Sequence, residues 1–243
     1  MTNNLPEDAD IHSASDEYAA RFGGSAGRWF LSVQAKAIQS LLGGPSLTSE
    51  SVLDVGGGHA QVAPVFRALG YSVTILASHP DGLTQARRVP HDPKLVLATG
   101  NLIALPFEDK KFDLVSSFRL LPHCNAWPTL IQELCRVART RVLVDYPVDQ
   151  GFNRLSFLFG AKKKFEGNTR PYLSFRNEEL MEHFDRAGFR CVGFKRQFFF
   201  PMVLHRFIKW GALSEIFEAL PRVLGATKVI GSPVVALFER YKE

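Results

Sequence analysis

The sequence predicts a doubly wound α/β fold: a mostly parallel seven-stranded sheet with helices on both faces, an N-terminal helical cap and an antiparallel C-terminal strand pair. Three observations predict it. Short apolar runs alternate with stretches of helical spacing from Ser51 to Asp145, the pattern of parallel βαβ units. One of these runs, Val52-Leu53-Asp54-Val55, passes directly into Gly56-Gly57-Gly58 and then a helix, a turn that lets a ligand approach the backbone. Beyond Pro147 the alternation stops, and two later runs, Arg190–Phe200 and Ser232–Glu239, are placed to pair at a sheet edge.

Residues 1–15 hold few large apolar side chains, so a flexible tail is expected there, and residues 16–243 read as a single domain. Within 16–44, Phe22, Trp29, Phe30, Val33, Ala37, Ile38, Leu41 and Leu42 recur near helical spacing, interrupted at Gly23-Gly24 and stopped at Gly43-Gly44-Pro45. This is the helical cap. Residues 45–147 form the core of the fold. Strands are expected at Ser51–Val55, Tyr71–Leu76, Lys94–Ala98, Phe112–Ser117 and Arg141–Asp145, and helices at Val62–Leu69, Asp81–Arg88 and Trp127–Ala138. Residues 148–243 read as a substrate-facing part with aromatic Phe152, Phe157 and Phe159, a helix Asn177–Ala187 ended by Gly188, and an apolar helical insertion over 203–224.

The composition, 46% hydrophobic and 22% charged, is that of a folded globular chain, and 243 residues suffice for a sizeable core. Cys124, Cys135 and Cys191 are an odd number with no Cys-x-x-Cys spacing, against a disulfide framework or a structural zinc site. The histidines are scattered, so no catalytic metal is expected. With no secretory leader or bilayer-length apolar run, a cytoplasmic protein is expected, with peripheral membrane contact open to it. The net charge of +5 permits contact with phosphates or an anionic surface without establishing either.

The glycine loop carries the chemistry. A dinucleotide site asks for Gly-x-Gly-x-x-Gly, and Gly56-Gly57-Gly58-His59-Ala60-Gln61 places Gln at the third glycine. Asp54, just ahead of the glycines, would repel a pyrophosphate but suits a cationic ligand.

With this loop as the first of four ordered blocks, the sequence resembles the class I, Rossmann-like S-adenosylmethionine-dependent methyltransferases. The others are Ile75–Pro80, Thr99–Phe107 and Phe112–His123, followed by Glu133-Leu134-Cys135-Arg136-Val137. The resemblance implies S-adenosylmethionine as cofactor and assigns Asp54, Gly56, Gly57, Gly58, Ser78, Asn101, Leu102 and Phe118 to its binding. Three places depart from the family pattern. Leu76-Ala77-Ser78-His79 lacks the acidic residue that holds the ribose hydroxyls, with Ser78 the substitute, and Asn101 replaces the aspartate that accepts from the adenine amino group. The Pro-Gly-Gly turn before the fifth strand is replaced by Ala138-Arg139-Thr140-Arg141. Leu105-Pro106-Phe107 and Arg176-Asn177-Glu178-Glu179-Leu180 are most similar to the ubiquinone- and menaquinone-type branch, implying a small lipophilic acceptor methylated at O, N or C.

Methyl transfer is an in-line displacement that needs alignment, and a base only for a hard-to-deprotonate acceptor. His123, after the fourth strand, is a candidate base or a mere substrate contact; Asp145, ending the fifth strand, faces the acceptor or caps a turn. Arg28, with Tyr18 and Arg21 in the cap, is a candidate grip on the cofactor carboxylate or a solvated helix residue. Lys162-Lys163-Lys164 with Arg170 would suit phosphates, but no base-modifying Asn-Pro-Pro-aromatic sequence follows the fourth strand, which disfavours nucleic acid. For the apolar stretch from Phe198 to Leu220, core packing is the first expectation; a lipophilic pocket or a membrane-resting helix is the second. A non-catalytic cofactor-binding protein, motivated by Ala77-Ser78 and Asn101, is the alternative function, and an RNA methyltransferase using the basic run Lys162–Lys164 ranks behind it.

Overall fold

The computed structural model describes residues 8–13, 20, 22–45, 50–89, 92–149 and 172–242. Seven strands, β1 Ser51–Val55, β2 Ser72–Ala77, β3 Leu95–Thr99, β4 Phe112–Ser117, β5 Ala138–Tyr146, β6 Phe189–Phe198 and β7 Ser232–Arg240, form one sheet in the order β3-β2-β1-β4-β5-β7-β6. β1 to β5 are parallel, and β7 lies antiparallel between β5 and β6. The expected doubly wound sheet and C-terminal pair are both present.

Alternation along the strands divides the core between two faces. Leu53 and Val55 of β1 join Val142 and Val144 of β5 in one cluster, which includes Leu130, Ile131 and Leu134 of helix α4 (Trp127–Val137) and Leu180 and Phe184 of α5 (Asn177–Arg186). Val52, Val73, Ile75, Leu114 and Leu143 belong to the opposite cluster, with Ala37 and Ile38 of α2 (Gly24–Leu42) and Phe66 of α3 (Ala63–Ala68). Each fully buried Leu, Ile or Phe contributes about 1.5–3 kcal/mol. α2 is therefore a structural layer packed on the sheet.

Helix α4 runs into β5 without an intervening loop. Arg240 makes this abrupt junction workable by donating from Nη2 to the carbonyls of Cys135 and Ala138, both at 2.7 Å, while its guanidinium lies 4.6 Å from the Phe189 ring centroid. The cation thus satisfies carbonyls that a helix end leaves without partners.

Three expectations are corrected. Within the expected tail, Ala9–Ser13 forms a one-turn helix, α1, with Ala9 and Asp10 buried. The helix expected over Asp81–Arg88 is two separate 3-10 turns, Pro80–Leu83 and Ala86–Arg88, because Gly82 and the residues around it have weak helical preference. The insertion over 203–224 is split into α6 (Met202–Ile208) and α7 (Gly211–Val223), followed by α8 (Ala226–Ile230), with the break at Lys209, whose φ of 59° is left-handed.

Candidate cofactor site

The carboxyl ends of β1, β2 and β4 converge where the strand order reverses, the crevice in which open α/β sheets bind ligands. β1 delivers Asp54 to the floor of this crevice, fully buried. Ser116 Oγ on β4 donates to Asp54 Oδ1 at 2.8 Å, whereas Oδ2 is buried without a hydrogen-bond partner among the described residues. Burial pushes the Asp54 carboxyl up to about 7, and neighbouring Asp145 adds to the rise, against the Ser116 hydrogen bond and the attraction of Arg119. A buried carboxylate oxygen left open in this way suits a cationic donor.

The glycines are fitted to that carboxylate. A Cβ on Gly57 would lie 1.9 Å from Asp54 Oδ2, so no other residue fits without displacing it, and Gly56 has a left-handed φ of 74°. The Gly56 amide donates to Leu76 O at 2.8 Å and the Gly58 carbonyl accepts from Ala86 N at 2.9 Å, tying the loop to β2 and the second 3-10 turn.

The cleft beside this loop is lined by Asp54, Gly56, Gly57, His59, Gln61, Val62, Phe118 and Arg119. Arg119 is held at a left-handed φ of 58°, costly for a residue with a Cβ, by Asp145, whose Oδ1 accepts from Arg119 N at 2.5 Å. Asp145 Oδ2 accepts from Gln34 Nε2 at 3.4 Å, and the Arg119 guanidinium lies 4.5 Å from the Phe22 ring centroid. Burial raises the Asp145 carboxyl to about 6, opposed by Arg119. His59 is driven down to about 4, mainly by burial and then by Arg119, so its imidazole is neutral at pH 7.

Residues 53–143 match the family model described as a methyltransferase domain. The matched segment runs from β1 through the glycine loop to β5 and so includes the residues that line the cleft. A curated relative from Mycobacterium ulcerans (strain Agy99), named "Probable phthiotriol/phenolphthiotriol dimycocerosates methyltransferase 2", is 35% identical over 96 residues, 38% of this chain. The match spans 37% of that relative's length. Among solved structures, magnesium protoporphyrin IX methyltransferase from Synechocystis PCC 6803 with bound SAH superposes with a TM-score of 0.65 at 14% identity, covering 97% of this chain and 98% of that one. The [4+2]-cyclase SpnF superposes with a TM-score of 0.57 at 16% identity, over 85% of this chain and 80% of that one. These likenesses establish the fold.

The structure distributes the sequence-derived site residues unevenly. Asp54, Gly56, Gly57 and Phe118 line the cleft, and Gly58 completes the loop. Leu102 is fully buried in the same core cluster as Leu76 and Ala9, so its side chain serves packing. Asn101 Oδ1 accepts from Ile103 N at 3.1 Å, an Asx turn that shapes the loop after β3 and takes one of its lone pairs. His123 is half-buried in a 3-10 turn after β4, its ring 5.5 Å from that of Tyr172. Arg28 is exposed on α2 and does not line the cleft, whereas Arg119 does. Tyr18, Arg21, Lys162–Lys164 and Arg170 lie outside the described residues.

Two residues that the sequence did not single out stand out: Arg119 lines the cleft, and Asp10 lies at the carboxyl end of β2, outside the cleft lining. Arg119 could have been suspected from its place one turn past β4. Asp10 could not: its Oδ2 accepts from Ser78 N at 2.8 Å, bringing a carboxylate to the end of β2 from 68 positions earlier in the chain. Burial raises its pKa, with the Ser78 hydrogen bonds acting against the rise.

Proposed function

We propose that the chain transfers the methyl group of S-adenosylmethionine to an O, N or C atom of a small lipophilic molecule. The observation that carries this is the open Oδ2 of Asp54 in a cleft it shares with Arg119. An anion and a cation side by side complement the ammonium and carboxylate of the methionyl end. Asp54 takes the ammonium and Arg119 the carboxylate. Asp10, beside Ser78, supplies the acceptor for the ribose hydroxyls that Ala77 lacks, and Asn101 and the backbone of Leu102 flank the adenine.

The bound cofactor supplies a methyl group made electrophilic by its sulfonium, so the protein's task is alignment and exclusion of water. His123 is the base that takes a proton from a hydroxyl acceptor. Asp145, engaged by Arg119 N and Gln34, acts by positioning Arg119 rather than by accepting a proton. A lipophilic acceptor agrees with the dimycocerosate in the name of the Mycobacterium ulcerans relative and with the quinone-type resemblance. The test is incubation with S-adenosylmethionine and a panel of prenylated phenols and quinols, reading S-adenosylhomocysteine. Acceptor-dependent formation supports the reading. Cofactor binding with no turnover on any member favours a non-catalytic cofactor-binding protein, the alternative that Ala77-Ser78 and Asn101 motivate.

A further inference from the structure

α7 is amphipathic with its faces reversed relative to a soluble helix. Its buried positions are Gly211, Ser214, Glu218 and Pro221, small or polar, whereas Ile216 (68% exposed), Leu220 (66%) and Val223 (84%) point outward. α6 and its exit extend the same character, with Phe207 67% and Trp210 71% exposed. Apolar packing, the first expectation for this stretch, accounts for Phe198 and Met202 but not for the large side chains of α7. A contiguous apolar surface of this kind marks an interaction site.

The buried side shows that the reversed face is held deliberately. Glu218, fully buried, accepts from the Phe199 and Phe200 amides at 2.9 Å each and lies 3.0 Å from His205 Nε2. This carboxylate is thereby withdrawn from the outer surface and anchors α6 and α7 to the end of β6. Gly211 closes the other end: its amide donates to Ser25 Oγ at 3.1 Å, and a Cβ there would lie 2.8 Å from Ser25 O. Reorientation of α7 by rolling would break both anchors.

Charge decides what covers the face. Lys209 and Lys228 are exposed and Arg206 and Arg222 half-buried around it, against one exposed acid on α7, Glu215. We propose that α6 to α8 form a docking surface for an anionic lipid membrane, with the apolar side chains entering the headgroup boundary and the cations meeting lipid phosphates. A second copy of this chain would bring the same cations face to face, whereas a lipid leaflet offers apolar depth and negative charge together. No helix among the described residues is long and apolar enough to cross a membrane. A chain of contacts links α6 to the cleft: Met202 packs against the cluster of Phe22, Trp29, Phe30 and Phe198, and Phe22 carries Arg119 on its ring.

The test is co-sedimentation of the full chain, without cofactor, with vesicles of phosphatidylcholine alone or mixed with phosphatidylglycerol. Binding to the mixed vesicles is expected, falling at least about tenfold in Ile216→Glu/Leu220→Glu and about fivefold for each charge lost in Lys209→Gln/Lys228→Gln. Added salt weakens it. Both variants should keep the wild-type Tm, since the replaced groups are exposed. No binding by the wild type, binding that neither variant reduces, or a dimer that Ile216→Glu/Leu220→Glu converts to monomer without vesicle binding in either form would overturn the proposal. S-adenosylmethionine affinity measured on the same samples separates this outcome from failure of the methyl-transfer reading.

Discussion

Ser116 Oγ holds Asp54 Oδ1 at 2.8 Å across neighbouring parallel strands, so that one carboxylate oxygen is fixed and the other faces the glycine loop. The arrangement keeps a carboxylate at the bottom of the sheet crevice in a fixed orientation at a cost in desolvation. A raised acid pKa means that the folded state binds the proton more tightly than the unfolded chain does. Stability from this group is therefore greatest below the unfolded value of 3.8 and declines as pH rises towards about 7. Asp54→Asn should raise Tm at pH 8 by at least about 2 °C, as read by calorimetric melting.

Cofactor binding should respond to pH in the opposite sense to that stability. Only ionised Asp54 attracts an ammonium, so S-adenosylmethionine affinity should fall as pH is lowered through about 7 in the wild type. In Asp54→Asn the pH dependence between 6 and 8 should flatten, about the affinity of a neutral acceptor. Titrations at three pH values check this.

The two arginines make a paired test. Arg119→Ala removes a cleft-lining charge and should weaken S-adenosylmethionine about tenfold or more, the range of a charge-assisted hydrogen bond. Arg28→Ala, at an exposed position of α2, should leave affinity unchanged. Equal losses in both would refute the assignment of Arg119.

Asp10 is tested by ligand modification. If its carboxylate serves the ribose hydroxyls, the wild type should prefer S-adenosylhomocysteine over its 2′-deoxy analogue by about tenfold, and Asp10→Ala should lose that preference. A preference that persists in Asp10→Ala would show that α1 has only a packing role.

His59 makes the protein sensitive to acid. Its pKa, lowered to about 4, means that the unfolded chain binds a proton more readily over that range. The stability it contributes is full above 6.5 and is lost as pH falls towards 4. His59→Asn should reduce the slope of Tm against pH between 6 and 4. The buried Glu218 sets a further limit: Glu218→Ala, removing a buried carboxylate that two amides and His205 share, should cost about 3 kcal/mol.

The sheet was legible because its strands are written as short buried runs, and Val52–Val55 could hardly be anything else beside Gly56-Gly57-Gly58. The glycine loop was legible for the same reason: Gly57 answers to a local steric demand made by Asp54, three residues away. Arg119 and Asp10 were not, because their roles come from contacts made by distant segments. Asp145 meets Arg119 from β5, and Asp10 reaches Ser78 across the cap. The orientation of α7 was equally hidden. Periodicity shows that a helix has an apolar face but not which way it turns, and here Glu218 and Gly211 turn it outward.

The central claim is that Asp54 anchors S-adenosylmethionine in the cleft, and calorimetric titration of the wild type and Asp54→Asn at pH 8 tests it most directly. Micromolar binding by the wild type, at least about tenfold weaker in Asp54→Asn, is the expected result. A folded wild-type protein that binds neither S-adenosylmethionine nor S-adenosylhomocysteine, or a variant that binds as tightly as the wild type, would contradict it.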